Sequence, residues 1–151
     1  MPDGVNILEI TSLTKTYESG HRAVDGLSFS IPRGSIFGFV GLNGAGKTTT
    51  IRIIAGLCDK DSGSVRLFGN EIEERDTSYK RHVGFVLDES LYFDWMSAPE
   101  YLRFVGTMYG LSPMETETRA RELLDFFDLN SKASEPVGSF STGMKKKVSL
   151  A

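Results

Sequence analysis

The chain has 151 residues, the length of one ordinary domain, with 40% hydrophobic and 25% charged residues, enough apolar side chain to close a core. A net charge of −3 argues against nucleic acid as the main ligand, because a phosphate backbone demands clustered Lys and Arg. No stretch reaches the ~18 apolar residues that span a bilayer, and Met1-Pro2-Asp3-Gly4 lacks the basic and apolar regions of a signal peptide, so the chain is expected in the cytoplasm, reaching a membrane only through a partner.

Two strand signals come first, Ile7-Leu8-Glu9-Ile10 and Ala23-Val24-Asp25-Gly26-Leu27-Ser28-Phe29-Ser30-Ile31. The turn-rich Glu18-Ser19-Gly20-His21 between them predicts neighbours in an antiparallel ribbon. Pro32-Arg33-Gly34 is a second turn, and Ile36-Phe37-Gly38-Phe39-Val40 reads as a buried strand. That strand delivers the chain into Gly41-Leu42-Asn43-Gly44-Ala45-Gly46-Lys47-Thr48, which fills every slot of the pattern G, four free positions, G-K-[ST]. Glycines there permit positive φ and close backbone approach, so successive N–H groups can turn inward around an anion. Lys47 would place a charge on the β- and γ-phosphates, and the Thr48 hydroxyl would ligate Mg²⁺. A helix from Thr48 to Gly56 follows, adding its N-terminal partial charge to the same anion. The candidate nucleotide-binding residues are thus Gly41, Leu42, Asn43, Gly44, Ala45, Gly46, Lys47, Thr48 and Thr49.

The single Cys58 excludes an internal disulfide and a cysteine metal site. It follows an apolar helix end and reads either as a small packing residue or as a redox-active thiol. Asp61-Ser62-Gly63 introduces the strand Ser64-Val65-Arg66-Leu67-Phe68, which stops at Gly69-Asn70. Val83-Gly84-Phe85-Val86-Leu87 is a short apolar run of the kind found in buried strands. From Ser97 the pattern turns helical. Ser97-Ala98-Pro99-Glu100 has capping-box spacing with proline in the first turn, and Tyr101, Leu102, Val105, Met108 and Tyr109 share one face. Gly110 fits a helix stop, Ser112-Pro113-Met114-Glu115 repeats the cap, and Ala120, Leu123, Leu124 and Phe127 make a second apolar stripe. The first ~90 residues are mixed α/β and the rest is a helical lobe.

The last motif is Phe140-Ser141-Thr142-Gly143-Met144-Lys145-Lys146-Lys147, about 95 residues beyond the phosphate loop and followed by Val148-Ser149-Leu150-Ala151. A serine hydroxyl and glycine amides at a helix start make a second anion site. Together with the loop, this segment resembles the signature motif, usually written LSGGQ, of the ATP-binding-cassette (ABC) ATPases, in the form S-x-G-M-x-x-[RK]. Ala23 to Phe29 and Ile54-Ala55-Gly56-Leu57 are similar to the family's framing of the nucleotide site. The resemblance runs from about Leu8 to Ala151.

What the resemblance implies is a P-loop NTPase of α/β class and ABC ATPase type. Its antiparallel β-subdomain and P-loop core would occupy about 1–89, and a helical subdomain with the signature about 90–151. ATP and Mg²⁺ would be the cofactors. Tyr17, in Leu13-Thr14-Lys15-Thr16-Tyr17, would stack on adenine, or else be a core tyrosine. Ser141, Thr142, Gly143 and Met144 would reach the γ-phosphate of ATP held by a second nucleotide-binding subunit. Asp88 stands where the family has its Q-loop glutamine and is a competent Mg²⁺ ligand. Aspartate is shorter and anionic, so it reaches less far, and a loop carboxylate capping a turn is the plainer alternative.

In the family, a Walker B strand with its Asp and water-positioning Glu, a D-loop and a switch His follow the signature; neither His21 nor His82 stands where that His would be. The expectation is a partial nucleotide-binding domain, truncated before the Walker B strand, that binds nucleotide more readily than it turns it over. As a whole protein it would be the ATPase subunit of an ABC transporter, powering transport, with export the favoured direction, through membrane permease subunits at the inner face of the cell membrane. A non-catalytic binding fragment and a soluble non-transport ABC ATPase are the alternatives. Tyr92, Phe93, Trp95 and Met96 would serve as a docking surface for the permease or as core of the lobe.

Overall fold

The computed structural model describes residues 6–73, 77–86 and 93–151, which divide into two compact units, Met1–Phe85 and Val86–Ala151. The first is built on an antiparallel sheet. Strands β1 (Asn6–Thr16) and β2 (Arg22–Pro32) pair antiparallel. Their turn is closed by Tyr17 N–H on His21 O at 2.9 Å and Gly20 N–H on Tyr17 O at 2.8 Å. On its other edge β1 receives β3 (Ser62–Leu67), which carries the short β4 (Asn70–Glu71), giving the order β2-β1-β3-β4. Helix α1 (Lys47–Ile54) contributes Ile53 to the core beside Leu8, Ile10, Leu13, Val24, Val65 and Leu67. Leu8 and Ile10 obey the two-residue period of a half-buried strand. Leu13 does not, because the pairing shifts between Ile10 and Leu13, where Ser12 has φ 49°. The bulge adds a residue and returns an apolar side chain to the same face. Tyr79, in a 3₁₀ turn over Ser78–His82, donates its hydroxyl to Ile54 O at 3.0 Å, so one terminal carbonyl of α1 finds a donor.

The antiparallel ribbon, the strand at Ser64 and the helix after the loop form as expected. Two apolar runs do not. Residues 36–40 join no strand ladder among the described residues; Ile36 and Val40 are 104% and 91% exposed. A buried strand needs hydrogen-bonding neighbours as well as apolar side chains. Here the run is held by rings instead, Phe37 and Phe39 each stacking on Phe29 of β2 with centroids 5.3 Å apart. Residues 83–86 are likewise outside any strand, although Val83 and Phe85 pack on the core from an extended segment; Leu87 lies outside the described residues.

The second unit is helical. Helices α2 (Ala98–Met108) and α3 (Pro113–Phe126) each begin with a serine N-cap, a proline and a complete capping box. The Ser97 and Ser112 hydroxyls donate to Glu100 and Glu115 at 2.7 and 2.6 Å. These bonds hold both glutamates below the usual carboxylate range. The helices pack through Leu102, Ala120 and Leu124, with Leu129, Val137, Phe140 and Val148 completing the core. The apolar stripe of α2 is longer than its interface. Leu102 is in the core and Tyr101 packs against it, whereas Met108 and Tyr109, on the same predicted face, are 72% and 73% exposed. Helix α4 (Thr142–Leu150) closes the unit, with Val148 turned inward.

Candidate functional site

The loop before α1 is shaped by two left-handed glycines, Gly44 at φ 83° and Gly46 at φ 82°. Gly46 is the N-cap of α1 and is buried. A Cβ on it would collide with Ala23 O and lie 3.1 Å from Val24 Cγ2, so β2 seats the point where loop becomes helix. Thr50 reinforces that point, its N–H and hydroxyl both donating to Gly46 O at 2.8 and 2.9 Å. Ala45 N–H donates to Leu42 O at 3.2 Å, which curls the loop. Lys47 reaches back across it, donating from Nζ to Gly41 O at 2.6 Å and Leu42 O at 2.7 Å. An ammonium held by two carbonyls at the mouth of a glycine loop is poised to exchange those neutral acceptors for anionic oxygens. Gly41, Leu42, Asn43, Gly44, Ala45 and Thr48 are exposed around it.

Tyr17 comes to the same place. Its hydroxyl shares a hydrogen bond with Thr49 Oγ1 at 3.2 Å while the residue stays 36% exposed. Tyr17 is therefore no core side chain, and Thr49, 8% exposed, is engaged by the Tyr17 hydroxyl rather than facing outward. The backbone just before Tyr17 is gripped by Asp61. This side chain takes Thr16 N–H on Oδ2 at 2.6 Å and Lys15 Nζ on Oδ1 at 3.0 Å. Those two hydrogen bonds lower the Asp61 carboxyl below its usual range, and the same contact raises Lys15. Sequence reasoning read Asp61 only as part of a turn; an acidic residue just ahead of a Ser-Gly strand start was the only signal.

In the second unit Ser141 caps α4, its Oγ accepting from Met144 N–H at 3.3 Å. Thr142 and Gly143 are exposed and Met144 packs on the core, so the first amides of the helix face outward at an open end. The approach to Ser141 is anchored to the segment before α2. Val137 N–H donates to Met96 O at 2.8 Å, Gly138 N–H to Asp94 O at 2.9 Å, and Lys145 Nζ pairs with Asp94 Oδ1 at 3.4 Å. Phe93, Trp95 and Phe104 form an aromatic cluster at the surface, Trp95 being 72% exposed; Met96 is half-buried. Asp88 and Tyr92 lie outside the described residues. Cys58 is half-buried with Sγ 3.6 Å from Asp59 O. Among the described residues, no group of three or more His, Cys, Asp or Glu is arranged to hold a metal ion. No helix among them is long and apolar enough to cross a membrane.

A glycine loop whose left-handed turns open directly onto a helix, with lysine on its first turn, belongs to the P-loop NTPases, an α/β class. The sequence narrows it further: residues 24–151 match the ABC transporter family, and the chain belongs to that family. It is 37% identical over 144 residues to the linearmycin resistance ATP-binding protein LnrL of Bacillus subtilis (strain 168), covering 95% of this chain and 46% of that one. It is 33% identical over 144 residues to the daunorubicin/doxorubicin resistance ATP-binding protein DrrA of Streptomyces peucetius, covering 95% and 43%. A solved structure of the ATP binding subunit of an ABC transporter superposes with a TM-score of 0.80 at 32% identity, covering 95% of this chain and 60% of that one. The chain spans about half the length of the curated relatives it matches.

Proposed function

We propose that this chain binds ATP with Mg²⁺ at the Gly41–Thr48 loop, as the nucleotide-binding part of a subunit that hydrolyses ATP to power export through membrane permease subunits. The observation that carries the reading is the Lys47 ammonium, clasped by the Gly41 and Leu42 carbonyls above two left-handed glycines at the start of α1. Phosphate oxygens would take over from those carbonyls, the loop amides and the α1 N-terminus would supply the remaining donors, and Tyr17 would stack on the base. The Thr48 hydroxyl, exposed on the first turn, would hold Mg²⁺, with Asp88 as a second ligand. Bound ATP supplies the transferable γ-phosphoryl group; the loop residues orient it and balance its charge. Ser141, Thr142, Gly143 and Met144 would present their helix-start donors to ATP on a second copy, so two copies complete two sites. Docking onto the permease, through the surface around Phe93 and Trp95, would place the chain at the inner face of the membrane. The resistance functions in the names of LnrL and DrrA favour an exported cargo.

Titration calorimetry of the chain with MgATP tests the reading. Lys47→Ala removes a charge-assisted contact of about 1.5–3 kcal/mol, so affinity is expected to fall about 10- to 150-fold. MgATP binding that is unchanged in Lys47→Ala would place the nucleotide elsewhere and refute the proposal.

A further inference from the structure

Asp61 stands 44 residues after Tyr17 in the chain, yet it makes every side-chain contact shown to the two residues before that ring. Its own N–H donates to Thr14 O at 3.0 Å. Three bonds from one residue, to Thr14, Lys15 and Thr16, therefore fix the last turnless stretch of β1. They do so where the sheet itself lets go. The β1–β3 pairing shifts between Thr11 and Thr14, Ser12 adopts φ 49°, and Gly63 at φ 88° lies so close to β1 that a Cβ would stand 2.5 Å from Ser12 O. Past this irregularity no β3 residue is left opposite Thr16, whose ladder partner is Arg22 of β2. The Asp61 carboxylate takes the place of a strand carbonyl there. Its bond to Thr16 N–H is short at 2.6 Å, as expected of a charge-assisted contact. Beyond it the chain enters the 17–21 turn, and Tyr17 leaves the β1 end toward Thr49 of α1.

We propose that Asp61 is the positioning residue of the base platform: by fixing the backbone of Thr14 to Thr16 it sets where the Tyr17 ring meets a nucleotide base over the phosphate loop. This rests on the assignment of the loop and Tyr17 to nucleotide binding. The Lys15 pair alone would be a poor anchor, since Asp61 is partly exposed and exposed ion pairs contribute little. The backbone bonds to Thr14 and Thr16 carry the constraint, and Lys15 keeps the carboxylate turned toward β1. Asp61 touches neither loop nor Tyr17 ring in any contact shown, so its influence is confined to the base end of the site.

The test compares two ligands that share the triphosphate and differ in the adenosine, its base being read through Tyr17→Ala. MgATP and magnesium tripolyphosphate are titrated calorimetrically into the wild-type chain, Asp61→Ala, Asp61→Asn and Tyr17→Ala. In Asp61→Ala the affinity for ATP is expected to fall about fivefold or more, the low end of what a base–aromatic stack is worth, with tripolyphosphate affinity unchanged. Unchanged tripolyphosphate binding shows that the fold and loop are intact. Asp61→Asn, isosteric and least disturbing to folding, keeps an acceptor for Thr16 but loses the charge, and is expected to lower the ratio of ATP to tripolyphosphate affinity about twofold. In a Tyr17→Ala background the Asp61 substitutions are expected to have no further effect. The inference is overturned by a wild-type ratio in both Asp61 variants, by equal loss for both ligands, or by additive effects with Tyr17→Ala. A separate result, wild-type protein that binds ATP no more tightly than tripolyphosphate, removes the Tyr17 assignment itself; failure of both ligands to bind removes the nucleotide site.

Discussion

The seat of the phosphate loop can be tested without any ligand. Gly44 and Gly46 share the same left-handed conformation, φ 83° and 82°, but differ in surroundings. A Cβ on Gly44 would meet nothing within 4 Å, whereas on Gly46 it would run into Ala23 O, with Ala23 C at 3.3 Å and Val24 Cγ2 at 3.1 Å. Alanine at either position bears the left-handed penalty of about 1–2 kcal/mol. At Gly46 it must also drive α1 off the β2 backbone, an overpacking cost of about 1–3 kcal/mol. Gly44→Ala should therefore destabilise the first unit by about 1–2 kcal/mol and Gly46→Ala by about 2–5 kcal/mol. Native-state hydrogen exchange of the β1 and β2 amides reads that unit alone, and urea unfolding followed by circular dichroism gives the sum over the chain. The difference between the two variants isolates the Ala23 contact, because their φ terms cancel. Gly44→Ala as costly as Gly46→Ala would refute the argument that β2 is what holds the loop to its helix.

The second unit offers two further tests. Gly106 of α2 faces Thr116 of α3 so closely that a Cβ would stand 2.6 Å from Thr116 Cγ2; Gly106→Ala should cost about 1–3 kcal/mol in urea unfolding despite alanine's better helix propensity. Adding Thr116→Ala, which clears the collision, should recover part of that loss, and strict additivity would exclude the close approach as its cause. Ser112→Ala should destabilise α3 by about 1 kcal/mol at neutral pH by removing an N-cap. The folded state depresses the Glu115 carboxyl below its ordinary 4.5, chiefly through the Ser112 hydroxyl, so its contribution is whole above that value. It is lost as pH falls through the lower folded value, and the Ser112→Ala deficit measured in urea should shrink on acidification; a deficit that grows would reverse the assignment.

Much of this architecture is written in local signals. The Ser-x-x-Glu pairs at Ser97 and Ser112 mark both helix starts because the cap is made by residues three apart. The glycine spacing before Lys47 marks the loop because glycine takes the left-handed turns found at Gly44 and Gly46 without the Cβ penalty. Signals that need a distant partner are not written locally. Residues 36–40 carry a strand's composition, but an apolar run states its capacity for burial without naming its neighbour, and here Phe37 and Phe39 settle on Phe29. Gly106 and Gly138 look like ordinary glycines until α3 and Asp94 are brought against them. Asp61 looks like a turn residue until β1 lies alongside. Tyr17, left between a base platform and a core side chain, is decided against the core by its exposure.

The exposed run before the loop raises the question of what holds the loop in shape. The entry segment has no strand ladder among the described residues and rests on Phe29 through ring stacking, so the backbone constraint comes from the other end. Gly46 is wedged against Ala23, Thr50 returns two bonds to Gly46 O, and Thr49 is tied to Tyr17. Tyr17 is the first residue after β1 and Ala23 the second of β2, so both supports lie at one end of one hairpin, six positions apart in the chain. The pairing of Lys15 with Val24 and of Thr16 with Arg22 fixes their separation. A slip of this register by one residue would turn every side chain to the opposite face and move the seat of the loop relative to the aromatic. The antiparallel hairpin, which contributes no residue to the glycine motif, thus sets the separation between the seat of the loop at Ala23 and Tyr17.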